Sequence, residues 1–292
     1  MPAFAGSSFT FASVEEARAI LGTRDDYVRA TAPLERAVKM HSVTPVDEDA
    51  YLRFMQGTAL AWTPSERERL QPLLDDLDKV VARLSWKPSK GVLLIKASND
   101  LEDSLPHTRA NAIVLSEEFL AGPPPFLSMV LAHELFHVVS RDDPKRRDRL
   151  YAAIGFRPCS SVEVPPAIAR LRLSNPDAPL HRHSIAVRYQ GRAIDAMPYP
   201  RLPDDADPTA GFRTQVRAAW LLVERKGQAC RALEETQPRE LDGLAEQIGR
   251  NTRYLWHPEE ILADNFVLLA LGKTANVPSP EVLERLRPLL FQ

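Results

Sequence analysis

The chain has 292 residues, 44% of them hydrophobic and 26% charged, with a net charge of −2. This is a globular composition with room for a substantial core, and the near-neutral balance argues against nucleic acid or an anionic membrane surface as the partner. No apolar run approaches the ~20 residues of a membrane-spanning helix, and the opening stretch MPAFAGSSFTFASVEEARAI lacks the basic and apolar regions of an export signal, so the expected location is the cytoplasm.

Residues 12–62 read as an N-terminal layer of short helices, because VEEARAILG, RDDYVRATAPLERAVKM and DEDAYLRFMQGTALAW place apolar residues at helical spacing. His41, between two of them, is read as a surface residue. Thr63-Pro64-Ser65-Glu66 combines a capping box with proline at the first helical position. It starts a helix to about Arg83 that Pro72 should kink or interrupt. The stripe Leu70, Leu73, Leu74, Leu77, Val80, Val81 and Leu84 must be buried. Residues 91–96 (GVLLIK) and 111–116 (NAIVLS) are strong β-formers bounded by turn residues, and predict two buried strands. Residues 126–141, FLSMVLAHELFHVVSR, then predict an apolar helix preceded by prolines at 123–125.

Asp143-Pro144 restarts a helix to about Ile154, with Gly155 at its end and Lys145, Arg146, Arg147 and Arg149 on its solvated face. Cys159 and Cys230 form no C-x-x-C pair. One disulfide between them is an alternative, but two buried thiols in a reducing compartment is the simpler reading. Residues 158–210 hold nine prolines and should be extended and irregular. The exception is a β-hairpin of 184–189 and 192–194 around Gln190-Gly191. Such a segment either lines a cleft or is an ordinary surface insertion. Val216, Ala219, Trp220, Val223 and Ala229 suggest a helix over 212–235, and a shorter one follows at 239–249. Pro258 and Gly272 bound another, and SPEVLERLRPLL reads as a closing amphipathic helix. The expected fold class is α+β, mainly helical with a small sheet beside the 126–141 helix.

That helix contains His133, Glu134 and His137 in the pattern H-E-x-x-H. Two imidazoles four residues apart lie on the same side of a helix and can hold two corners of a tetrahedral zinc site. Glu134, partway round the helix, reaches a metal-bound water in place of the metal. The competing reading is a chance match, or core histidines paired with backbone. A catalytic zinc needs a third protein ligand on an element packed against the first. The helix after Pro258 must bury Ile261, Leu262, Phe266 and Leu269, and carboxylates on it are expensive unless paired or bound to metal. Glu260 and Asp264 share a face, so one can bind zinc while the other accepts from a ligand imidazole. Glu259 is the rival ligand, although its i+4 residue is Ala263. The alternative is that both carboxylates face water.

H-E-x-x-H followed by E-x-x-x-D resembles the gluzincins, the thermolysin-like zinc metallopeptidases. The resemblance covers these two helices, and the spacer of about 120 residues between His137 and Glu260 is longer than in thermolysin. It implies a zincin-like fold with one Zn2+ per chain held by His133, His137 and Glu260. It also implies Glu134 as general base and Asp264 as support for a ligand histidine. Family members often carry an edge strand ahead of the active helix that pairs with substrate backbone. Residues 111–116 take that place in order, with Asn111, Ala112 and Ile113 as substrate-binding positions. The domain reading is an N-terminal helical layer, 1–62, and a metallopeptidase domain, 63–292, with the insertion 158–210, or one continuous domain. The expected activity is hydrolysis of a peptide or protein by a zinc-bound water, Glu134 taking its proton and passing it to the leaving amine. The oxyanion needs a second donor. Tyr254 and His183 are the residues advanced for it, with His181, Tyr189, Tyr199 and His257 as further candidates. Two alternatives stand beside this reading, a non-catalytic zinc-binding scaffold and a zinc hydrolase of a non-peptide amide or ester. Glu134 weighs against the scaffold, which needs no base.

Overall fold

In the computed structural model, residues 7–292 are described. Residues 1–6, which open both the N-terminal layer and the stretch read for an export signal, lie outside the described residues. The N-terminal part runs β1 (Phe9–Phe11), α1 (Val14–Leu21), α2 (Asp26–Ala30), α3 (Pro33–Lys39), α4 (Glu48–Gly57) and β2 (Ala59–Leu60). Ser13, Asp25 and Asp47 start α1, α2 and α4 by accepting from the backbone N–H of Glu16, Val28 and Ala50. The capping box at Thr63 opens α5 (Pro64–Arg83) as expected. Pro72 does not interrupt α5. It sits on the exposed face, where the carbonyl it leaves unpaired meets water.

The chain continues through β3 (Val92–Ala97), β4 (His107–Arg109), β5 (Ala112–Ser116), α6 (Glu117–Leu120), α7 (Pro124–Asp142) and α8 (Pro144–Ala153). β3 and β5 are the two strands expected from their apolar runs. They belong to a mixed sheet of order β1-β3-β5-β4, with β2 paired to the far end of β3. Successive residues of a strand face opposite sides. Accordingly Leu94, Ile113 and Leu115 enter the core beneath α5 and α7, while Ile95, Ala112 and Val114 enter the core beneath α1 and α4. With both faces covered, polar alternation has no place, which is why these strands read as unbroken apolar runs.

The sheet order corrects one expectation. β5 is not an edge strand: it lies between β3 and β4. Ala112 and Ile113 are fully buried, and Asn111 is occupied by the β3 side, with Nδ2 donating to the Gly91 carbonyl at 2.6 Å. These three residues therefore have no free backbone edge to offer a substrate. The edge beside the active helix is β4, a three-residue strand with no apolar run to announce it.

After α8 come β6 (Phe156–Pro158), β7 (Ser161–Glu163), α9 (Pro166–Ala169), β8 (His183–Tyr189), β9 (Arg192–Pro198), β10 (Trp220–Lys226) and β11 (Ala229–Thr236). They form a second mixed sheet of order β6-β8-β9-β10-β11-β7. The hairpin β8–β9 was expected, but the helix over 212–235 was not found: that stretch carries β10 and β11. Cys159 and Cys230 are joined in a disulfide, with Cα atoms 5.8 Å apart, which replaces the expected pair of thiols. The helix expected over 239–249 shortens to a single 3-10 turn, Pro238–Glu240, and α10 (Leu244–Ile248). Finally α11 (Pro258–Ala270) packs along α7, and α12 (Pro280–Leu290) closes on α8 and α11. No helix among the described residues is long and apolar enough to cross a membrane.

Candidate metal centre

The centre is built where α7 and α11 meet. The apolar faces of the two helices join through Leu131, Leu135 and Phe136 on α7 and Ile261, Leu262 and Phe266 on α11, all fully buried. The Phe136 and Phe266 rings lie 5.5 Å apart. This packing fixes the register of the polar residues set among the apolar ones. His257 caps α11, its Nδ1 accepting from the Glu259 N–H at 3.1 Å, so Glu259 and Glu260 fall in the first turn, where the helix dipole favours carboxylates.

His133, His137 and Glu260 come together as expected from their spacing. His133 Nε2 lies 3.0 Å and His137 Nε2 3.5 Å from the same oxygen, Glu260 Oε2. The other nitrogen of each ring is held by a carboxylate: His133 Nδ1 meets Asp264 Oδ1 at 3.0 Å, and His137 Nδ1 meets Glu259 Oε1 at 3.1 Å. Asp264 thus stands where the sequence put it. Thr252 Oγ1 donates to its second oxygen, and Asn175 Nδ2 donates to the second oxygen of Glu260.

Glu259 has a partner that was not foreseen. The search along its own helix found only Ala263, whereas its contacts lie across the interface. Ser140 Oγ donates to Glu259 Oε2 at 2.9 Å, and the Tyr151 hydroxyl donates to the same oxygen. The readable signal was a pair of adjacent carboxylates opening an otherwise apolar helix. Neighbouring residues point about 100° apart, so when one serves His133 the other is free to serve His137. Asp177 was missed as well. It sits in the proline-rich segment, and with Glu134 and His137 it offers ligand atoms that lie within 4.8 Å of one another. No periodicity marks it.

The electrostatics follow from burial among opposite charges. Burial alone would lower His133, but the Asp264 and Glu260 carboxylates outweigh it and hold the imidazole up at about 10. For Glu260, burial would raise the carboxyl, yet His137 and His133 keep it well below the ordinary range. Burial and the facing Asp177 push Glu134 the other way, up to about 8, against the pull of the two histidines. Among the described residues, the buried atoms Glu134 Oε2 and His137 Nε2 find no hydrogen-bond partner. Buried polar atoms are rarely orphaned without a ligand or a role. Two imidazole nitrogens and a carboxylate, with ligand atoms within 4.8 Å of one another, can hold a metal ion. Their outer nitrogens are already oriented by carboxylates, the usual support for ligand histidines.

Beside this group lies a cleft of about 700 Å³, lined by His133, Glu134, Asp177, Tyr254 and Glu260 together with apolar side chains. Tyr254 lines this cleft, its ring stacked on His133 with centroids 6.3 Å apart. His183 does not. It pairs with Asp148 at 3.0 Å, packs against Tyr151, and lines a different cavity of about 400 Å³. His181 and His257 are buried against each other and do not line the cleft. Burial and Arg172 lower His181 to about 3, so it is neutral. Tyr199 packs on His181, and Tyr189 ends β8. Of the donors proposed from sequence, only Tyr254 reaches the centre. No protein family, curated protein or solved structure matches this chain.

Proposed function

We propose that the chain is a zinc-dependent hydrolase of peptide bonds, with a zincin-like site of the gluzincin kind. The observation that carries this reading is the convergence of His133 Nε2 and His137 Nε2 on Glu260, with the unpartnered Glu134 Oε2 beside them. A structural zinc site closes its coordination shell with four protein ligands, whereas this one has three and a cleft on its open side. Zinc suits two imidazoles and a carboxylate, and when bound it polarises a carbonyl and acidifies water at neutral pH.

The chain's own residues then divide the work. Glu134, buried beside the two histidines with an unpartnered Oε2, takes a proton from the water that adds to the carbonyl carbon. It returns that proton to the nitrogen as the C–N bond breaks, leaving a carboxylic acid and an amine. The Tyr254 hydroxyl faces the developing oxyanion. Glu259 and Asp264 keep the two imidazoles in the tautomer that presents Nε2. The substrate is a peptide or protein. Nucleic acid and membrane play no part in this reading. A disulfide persists in an oxidising compartment, so we place the protein there and not in the cytoplasm.

The test is Glu134→Gln. The purified variant should retain about one zinc per chain, the content of a three-ligand site, and lose hydrolysis of a peptide library. Unchanged turnover removes Glu134 as the base. A wild-type chain that binds zinc and cleaves nothing in the library favours the scaffold.

A further inference from the structure

The cleft beside the candidate metal centre is lined on one side by Asp177 of the proline-rich segment. An extended peptide docks on a sheet by pairing with the outward N–H and C=O groups of an edge strand. On β4 and its flanks several of those groups are spent. The outward N–H of Thr108 donates to Asp177 Oδ1 at 2.6 Å, as does its hydroxyl at 2.6 Å. Two residues earlier stands Pro106, which has no N–H. Two residues later, the Ala110 carbonyl accepts from Arg141 Nη1 at 2.9 Å.

The segment that blocks the edge is clamped. Ser174 N–H donates to the buried Glu35 at 2.6 Å, and Asn175 donates to Glu260. Arg141 Nη2 holds the carbonyls of Pro176 and Asp177 at 3.1 and 3.2 Å. The segment therefore occupies the Thr108 N–H that a substrate strand on β4 would use.

What the blocking segment presents is a carboxylate. Asp177 spends Oδ1 on Thr108, while Oδ2 takes no hydrogen bond among the described residues, and the side chain lines the cleft. It faces Glu134, which is only 4% exposed and has an unpartnered Oε2. On the open side the cleft is apolar, with Phe126 and Met129 40% and 41% exposed beside Val130, Phe212 and Trp256.

We propose that the site is exo-acting: Asp177 binds the free α-amino group of a peptide whose amino-terminal residue lays an apolar side chain in the cleft. An α-amino group is two bonds from its own carbonyl carbon, so a cation held on Asp177 brings the first peptide bond to Glu134 and the histidines. At neutral pH that group is largely protonated, and a charge-assisted bond to a fixed carboxylate is among the stronger contacts available.

This inference rests on the hydrolase reading, and one experiment separates the two. The zinc-loaded full chain is given phenylalanyl anilide, its N-acetyl counterpart, and an end-blocked peptide library containing internal lysines. The free amine should be cleaved at least about tenfold faster than the acetylated anilide, the loss expected when a charge-assisted contact is removed. Asp177→Asn should narrow that preference by raising KM for the free amine more than for the acetylated anilide. A purely structural Asp177 would move both substrates together, and that result overturns the proposal. Equal cleavage of both anilides, or internal cleavage of the blocked library, overturns it while leaving the hydrolase reading intact. No cleavage of any substrate removes both.

Discussion

His137 touches two adjacent carboxylates of one helix, and they act on opposite faces of its ring. Glu260 meets Nε2, and Glu259, which itself accepts from Ser140 and Tyr151, holds Nδ1. Replacing them should therefore give different losses. Glu259→Gln should weaken zinc by about 10- to 100-fold, the range for a support behind a ligand histidine. Glu260→Ala removes a donor atom and should cost more. Chelator competition measures both, and an equal or reversed order would exchange the two roles. At this scale the sequence was legible wherever two residues shared one helix face, as His133 with His137 and Glu260 with Asp264 do. It was silent where the partner came from another element, as Asn175, Asp177 and Tyr151 do.

At the scale of elements, the centre depends on the seam between α7 and α11, because each helix carries only part of the donor set. Phe266 is buried at that seam against Phe136. Phe266→Ala should destabilise the fold by about 3–5 kcal/mol, the usual cost of deleting a buried aromatic ring. It should also loosen zinc, since the cavity lets the two half-sites part. Denaturant unfolding with and without zinc reads both effects, and a destabilised variant with unchanged zinc affinity would show that the seam does not set the register. Both helices were legible because proline, caps and apolar spacing agree along them. β10 and β11 were not. Val216, Ala219, Trp220 and Val223 fit a helical period by accident; Trp220–Val223 are all buried, so β10 shows no alternation, and β11 carries an extra residue, Leu233, that breaks its own.

The whole molecule is tied together through a buried charge network between its first helices and the wall of the cleft. Lys39 pairs with Glu102 at 2.7 Å and Glu35 at 3.3 Å, and donates to the Ser174 carbonyl at 3.2 Å. Burial would lower Lys39, but Glu102 and Glu35 outweigh it and hold it above its ordinary value. Burial would raise Glu102, but Lys39 and His107 keep it low. A carboxylate held low stabilises the fold above the ordinary carboxylate range, and that stability is lost as pH falls through its lowered value. Glu102→Gln should cost about 3–5 kcal/mol near neutrality, since it strips a buried ammonium of a partner. The gap from wild type should narrow in acid. A gap in unfolding free energy that is small at pH 7 would show that Glu35 alone suffices.

The donors of the metal centre also stand far apart in the order in which the chain is made. His133, Glu134 and His137 are made about 120 residues before Glu259, Glu260 and Asp264. A growing chain therefore carries Glu134 and the two imidazoles through the synthesis of that spacer without the carboxylates that meet them. Completion of the centre waits until α11 emerges, and a chain interrupted before Pro258 carries only half of it.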